Sequence, residues 1–209
     1  MSAALLITFR ETLEASLVVA IVLTIIDRLQ RERLKIALWN GVAAGIACSI
    51  AIAVAVHVLF QSLPPHLEGI AEGVTMLVAA ALIVWLVVWV TRMRGNMRQH
   101  VSDQATAHID QGSWWGIFFM SFFAVVREGT ETVLFLQASA FQAQQFFSSV
   151  AAVAGVVLAV GCTMLVFRGL HRVPLKRIFQ ATSALLLLFA VTLTIGGIEE
   201  IMEDVEAVS

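Results

Sequence analysis

The pattern Arg-Glu-x-x-Glu occurs twice in this chain, as Arg10-Glu11-Thr12-Leu13-Glu14 and as Arg127-Glu128-Gly129-Thr130-Glu131. Both copies interrupt runs that are otherwise apolar. A charge placed in hydrocarbon costs roughly 2.5–3.5 kcal/mol on insertion scales. The flanking lengths leave no way round that cost. Neither the apolar piece between Glu14 and Asp27 nor those before Arg127 and after Glu131 reaches the roughly 20 residues a membrane-crossing helix needs. These two runs cross a bilayer only if the motif goes in with them.

The rest of the chain agrees with a membrane setting. Of its 209 residues 59% are hydrophobic and 13% charged, and the mean hydropathy is +0.89. Those values place it among polytopic membrane proteins rather than soluble domains. Six stretches are predicted to cross as helices: 2–27, 36–60, 69–91, 114–140, 147–169 and 176–197. Between them lie the charged segment Asp27 to Lys35, the Pro64-Pro65 break, a long polar loop, the polar turn Gln142 to Gln145, and Pro174. The first stretch lacks the basic leader of a signal peptide and reads as a retained helix. Cys48 and Cys162 stand alone in apolar runs, so neither a disulfide framework nor a zinc site is expected.

Basic residues set the orientation. Outside the motifs they are Arg28, Arg31, Arg33, Lys35, Arg92, Arg94, Arg98, Arg168, Arg172, Lys176 and Arg177. All fall in or at the edges of the three loops on one side of a six-helix protein. The positive-inside rule puts those loops in the cytoplasm and the N-terminus outside.

The repeated motif also marks an internal repeat. The second and fifth stretches share small-residue spacing, Gly41-x3-Gly45 and Ala47-x3-Ala51-x3-Ala55 against Ala151-x3-Gly155-x3-Ala159. The third and sixth share a weaker likeness, Thr75-Met76-Leu77 against Thr182-Ser183-Ala184. Each half has an odd number of helices, so the halves are predicted to be inverted in the membrane. Secondary transporters commonly have this plan, with the site near mid-bilayer. The expected organisation is a first repeat at 1–92, a cytoplasmic loop at 93–113, a second repeat at 114–198 and an acidic outer tail at 199–209.

Helix geometry then defines a candidate site. At about 100° per residue, Arg10, Glu14 and Glu11 fall at roughly 0°, 40° and 100° on the wheel, one face in all, and so do Arg127, Glu131 and Glu128. Both motifs are expected roughly 15 Å from the outer face, at about 1.5 Å per residue. If the faces converge, four carboxylates and two guanidiniums line one cavity. Each Arg can pair with the Glu one turn on, and the formal sum is −2 from the residues named. Carboxylate oxygens without thiolate or imidazole suit hard cations. Ferric iron fits, as does ferrous iron with water retained, and Cu(I) does not. A self-neutralising ion pair would explain Arg10 with Glu14 and Arg127 with Glu131. It leaves Glu11 and Glu128 without a reason, and intramembrane ionisable groups are functional by default.

With these residues in hand, the chain resembles the oxidase-dependent iron permease family of bacteria and fungi. The resemblance is carried by the two motifs and by Glu72-Gly73-x3-Leu77 with Trp85 and Trp89. It covers essentially the whole chain. It implies inward movement of iron across the plasma membrane, with iron as substrate and no resident cofactor. It implies Glu11, Glu14, Glu128 and Glu131 as iron ligands, and an extracytoplasmic oxidase on a separate chain as the source of ferric iron. It also implies a seventh helix, which this chain lacks after its sixth, as a short member or as a piece of a longer protein.

Further residues support this picture. Arg10 and Arg127 are expected to orient the carboxylates and lower their net charge. Glu68 and Glu72 open the third helix from outside and are expected on the iron path, although acidic residues there also suit the helix dipole. Glu199, Glu200, Glu203 and Asp204 could concentrate cations at the outer mouth, or form only a solvated acidic tail. His57 and His66 read as interfacial, and Asp27 as a partner of the basic loop. The small-residue runs can join the halves or join two subunits. Membrane lipid is the expected surrounding, with assembly into a homo-oligomer left open; no nucleic-acid partner is expected. The other readings are a transporter of another metal such as lead or manganese, a metal-sensing or assembly subunit, and, weakest, a membrane hydrolase, for which no nucleophile is evident.

Overall fold

The computed structural model describes residues 2–93, 109, 113–140, 145–167 and 175–208. Among them every regular element is an α-helix: α1 Ser2–Arg28, α2 Arg33–Gln61, α3 Pro65–Met93, α4 Trp114–Ala140, α5 Gln145–Phe167 and α6 Leu175–Val208. The expected cytoplasmic loop at 93–113 falls almost wholly outside the described residues, as do Arg94, Arg98, Arg168, Arg172 and Pro174.

Five helices follow the predicted stretches closely. The sixth does not stop at 197. It runs on through the acidic segment to Val208, because no proline follows Gly197 and the Ile-Glu-Glu-Ile-Met-Glu series favours helix. The end of α1 is a tight reversal. Gln30 takes a left-handed φ of 53°, and the Arg31 and Gln30 amides donate to the Ile26 and Asp27 carbonyls, which closes the helix as a Schellman turn. Lys35 Nζ then ties back to Asp27 at 2.6 Å and Glu32 at 2.8 Å, as expected for Asp27.

α2, α3 and α6 are each long and apolar enough to cross a membrane, and α5 holds a shorter apolar helix at Val150–Leu165. α1 and α4 carry their three motif charges inside the helix. The outer surface is apolar: Ile46, Ile50, Val54 and Val58 on α2, Val153, Val157 and Leu158 on α5, and Leu188, Val191 and Ile195 on α6 are all exposed. So large an apolar girdle suits lipid rather than water. Trp39, Trp85 and Trp115 also face outward.

Glycines decide how the helices meet. A Cβ on Gly155 would run into Thr8 Oγ1 and the Leu5 carbonyl, and further along Ser16 Oγ bonds Thr163 Oγ1 at 2.6 Å. Contacts advancing together mean that α1 and α5 run parallel. Likewise Gly41 abuts Ser121, Gly45 abuts Val125 and Gly129 abuts Ser49, so α2 and α4 run parallel. Gly69 meets Asp204 while Gly73 meets Gly197 and Ile201, so α3 and α6 run antiparallel. The turn at 29–32 makes α1 and α2 an antiparallel hairpin, and α4 therefore runs opposite to α1. The dominant contacts are α1 with α5, α2 with α4, and α3 with α6, with α1 crossing α4 at the centre. α3 also touches α4, and α1 touches α6. Exchanging the first three helices for the last three maps these contacts between them onto themselves.

The small residues therefore work between the two sets of helices, one of the uses left open above. On α5, Ala151, Gly155, Ala159 and Thr163 are buried at four-residue spacing. On α2 only the Gly41, Gly45 and Ser49 line faces α4, while Ala47, Ala51 and Ala55 are exposed.

Candidate metal centre

The centre forms where α1 crosses α4. Carboxylate oxygens of Glu11, Glu128 and Glu131 lie within 4.8 Å of one another. Three acceptors this close repel unless a cation or proton sits among them. Within each motif the pairing matches. Arg10 Nε donates to Glu14 Oε1 at 3.2 Å, and Arg127 Nε donates to Glu131 Oε1 at 3.2 Å. Each arginine also lies 3.9 Å from the next glutamate along, Glu11 or Glu128.

Glu14 is not one of these three. It is the fourth expected ligand, and its Oε1 is held by Arg10. Geometry thus brings three of the four expected carboxylates together and leaves the fourth one turn along α1.

The buried groups are unusually poor in partners. Both Glu11 oxygens, Arg10 Nη1 and Nη2, Glu128 Oε2 and Glu131 Oε2 are buried without a hydrogen bond. A buried polar atom left unpaired costs about 1–3 kcal/mol, and more when charged. A set of such oxygens aimed at one point is what a cation with oxygen ligands requires.

The neighbouring sequence fits this crossing. Gly129 lies inside the second motif, and a Cβ there would strike Ser49 Oγ. That motif position admits α2 only without a side chain. Ser16, just past Glu14, bridges α1 to the buried Thr163 of α5. Neither Ser49 nor Ser16 and Thr163 was among the expected site residues. Their signal was present, because Ser49 and Thr163 continue the four-residue spacing of Gly41-Gly45 and Ala151-Gly155-Ala159.

The remaining expected residues lie elsewhere. Glu72 is half-buried on α3, beside Gly73 where α3 meets α6. The side chains of Glu68 and His66 lie outside the described residues. Asp204 Oδ2 accepts the Ile70 amide at 3.1 Å, so it ties α6 to the first turns of α3, where the helix dipole favours an anion. Glu199 and Glu203 are exposed and Glu200 is half-buried. His57 is exposed and pairs with Gln61 at 3.1 Å.

Ferrous iron permease EfeU of Yersinia pestis is 29% identical over 200 residues, covering 95% of this chain and 71% of that protein. Its counterpart in Yersinia pseudotuberculosis is 30% identical over 200 residues, covering 95% of this chain and 70% of that protein. The ferrous iron permease EfeU of Escherichia coli O6:K15:H31 is 29% identical over the same length, covering 95% and 72%. No solved structure matches the chain. The iron permease FTR1 family model matches residues 1–209, and the chain belongs to that family of membrane permeases.

Proposed function

We propose that this permease carries ferrous iron into the cell, binding it mid-membrane between Glu11, Glu128 and Glu131, with Glu14 as a fourth carboxylate drawn in during transport. The observation that carries this reading is the carboxylate trio within 4.8 Å, in which Glu11 is buried and has no hydrogen bond to either oxygen. A cation supplies what those oxygens lack.

Charge favours a divalent cargo. Four glutamates and two arginines sum to −2, so Fe2+ neutralises the desolvated set and Fe3+ leaves an excess. Burying uncompensated charge is costly. The relatives named above are ferrous iron permeases by name, which agrees. Retention of some water on the ion would complete a coordination shell that three or four carboxylates leave open.

The architecture proposed for this site is a pair of inverted repeats, 1–92 and 114–198. The opposite directions of α1 and α4, and the exchange symmetry of the helix contacts, support it. Basic loops face the cytoplasm of the plasma membrane and the N-terminus faces outward. Transport proceeds by rocking about the central crossing.

The test is uptake of radiolabelled iron by Glu11→Gln and Glu131→Gln variants in cells, with membrane insertion checked in parallel. Both variants are expected to insert and to lose uptake. Full uptake by both refutes the site. Uptake supported by ferric but not ferrous iron would keep the site and change the cargo, and would call for a separate oxidase. A panel including manganese and lead in the same assay ranks the remaining cargoes.

A further inference from the structure

The repeat is a unit of sequence and not of packing. Gly155 against Thr8 and the 2.6 Å bond between Ser16 and Thr163 join α1 to α5. Gly41 on Ser121, Gly45 on Val125 and Gly129 on Ser49 join α2 to α4. Gly73 on Gly197 and Ile201, with the Ile70 amide on Asp204, join α3 to α6. Each of these three seams takes one helix from each repeat. Inside a repeat the helices barely meet. Among the described residues α2 and α3, α4 and α5, and α5 and α6 have no extensive contact. α1 meets α2 beside their shared turn, in the cluster that holds Val22, Ile26, Leu34 and Leu38.

Motion occurs where least packing is lost. Interiors at native density do not deform smoothly, so packed bodies move at the thinner joints between them. A Cβ at Gly41 or Gly155 would strike the backbone of the facing helix, so these seams are close backbone contacts. Displacing one whole repeat against the other would disengage all three seams together. The crossing of α1 with α4 is a smaller contact, and parting it leaves every seam whole.

We propose that the moving bodies are the mixed pairs α1–α5 and α2–α4, and that the cation closes the joint between them at the α1–α4 crossing. This rests on the proposed mid-membrane site. Glu11 stands on the first body and Glu128 and Glu131 on the second, with oxygens within 4.8 Å of one another across the joint. Like charges this close push the two bodies apart. A cation among them binds both bodies and draws the joint shut, so loading and closure are one event, and release frees the joint to open. The turn after α1, where Gln30 has a φ of 53°, carries the chain from the first body to the second and serves as the hinge. The α3–α6 pair braces both, because Ile7 of α1 and Phe135 of α4 share one buried cluster with Ile83 and Leu86 of α3 and Leu193 of α6.

The test locks a seam. Ser16→Cys and Thr163→Cys are placed in the full chain with Cys48→Ala and Cys162→Ala. The native hydroxyl oxygens are 2.6 Å apart, which places the two thiols to form a disulfide. That bond ties the repeats to each other and lies within one mixed pair. Ferrous iron uptake into proteoliposomes by the oxidised and reduced forms is expected to agree within about twofold. Uptake lost on oxidation and regained on reduction would show that the repeats themselves move, and overturns the proposal. Failure of the disulfide to form also overturns it, since the seam is then not held.

Should the cysteines stop uptake in both forms, distances decide. Phe123 and Val157 are exposed, share a repeat and stand on different bodies, whereas Val58 and Trp115 are exposed, belong to different repeats and stand on one body. Energy transfer between dyes on Phe123→Cys and Val157→Cys is expected to change when anaerobic ferrous iron is added. Transfer between dyes on Val58→Cys and Trp115→Cys is expected to stay constant. The reverse pattern, or no change in the first pair, overturns the proposal. Loss of uptake in Glu128→Gln alongside any overturning result condemns the mixed pairs alone. Full uptake in Glu128→Gln condemns the site on which they rest.

Discussion

A methyl group added at Gly155 tests whether the close approach of α1 and α5 holds the first motif in place. The new Cβ would press on Thr8 Oγ1 and lie 2.6 Å from the Leu5 carbonyl oxygen and 2.9 Å from the Phe9 nitrogen. Carbon and carbonyl oxygen ordinarily approach no closer than about 3.3 Å. Two of the three obstacles are backbone and cannot rotate aside, so the helices must part by roughly 0.7 Å. Overpacking of this kind costs about 1–3 kcal/mol. Alanine also gains up to about 1 kcal/mol of helix propensity over glycine, which blurs a single measurement. Gly161 on the same helix removes that ambiguity, because a Cβ there meets nothing within 4 Å. The difference between Gly155→Ala and Gly161→Ala isolates the contact, and it should be about 1–3 kcal/mol. At roughly 2–4 °C per kcal/mol for a protein of this size, Gly155→Ala melts several degrees below Gly161→Ala. Thermal unfolding in detergent, followed by tryptophan fluorescence and gel filtration, measures it. Iron uptake should fall in Gly155→Ala even well below its melting point, since Arg10 to Glu14 lie on the displaced helix. Equal melting temperatures for the two variants would refute the packing argument.

Other outcomes follow from the same contacts. A double-mutant cycle on Ser16→Ala and Thr163→Val is expected to give a coupling of about 0.6 kcal/mol, the usual size for such bonds in membranes. Zero coupling would show that the α1–α5 hydroxyl bridge contributes nothing. Asp204→Ala removes the acceptor of the Ile70 amide and an anion at the start of α3. It should cost about 1 kcal/mol in unfolding experiments and leave the iron affinity of the purified protein unchanged. Gly129→Val keeps every charge of the second motif and collides with Ser49. It should lower uptake as severely as a charge change, whereas normal uptake would show that α2 need not approach the motif.

Much of this molecule is legible along the chain. The lengths of the apolar runs separated six helices, because a span of hydrocarbon imposes a minimum number of residues that a local reading can count. The motif charges marked the candidate site for a similar reason, since their cost in lipid is a property of residue type. The reading failed at α6, where the change from apolar to acidic residues at Glu199 suggested an end. Glutamate and methionine are good helix formers, and a change from apolar to charged residues marks where lipid ends rather than where a helix ends, so the helix continued to Val208.

Which carboxylates meet was beyond the reach of the chain alone. A wheel puts Glu11 and Glu14 on one face of α1 with equal claim, and no local rule separates them. Their difference arises from where α1 crosses α4, which depends on how deeply Gly41, Gly45, Gly129 and Gly155 let neighbouring backbones approach. The same holds for the unequal burial of Arg10 and Arg127, two residues with identical motif neighbours. Composition, periodicity and residue chemistry therefore determined that this chain is a helical membrane protein with acidic charge inside it. Tertiary packing decided the close trio of Glu11, Glu128 and Glu131 and the asymmetry around it, because distances between side chains on different helices are set by the contacts of the whole bundle.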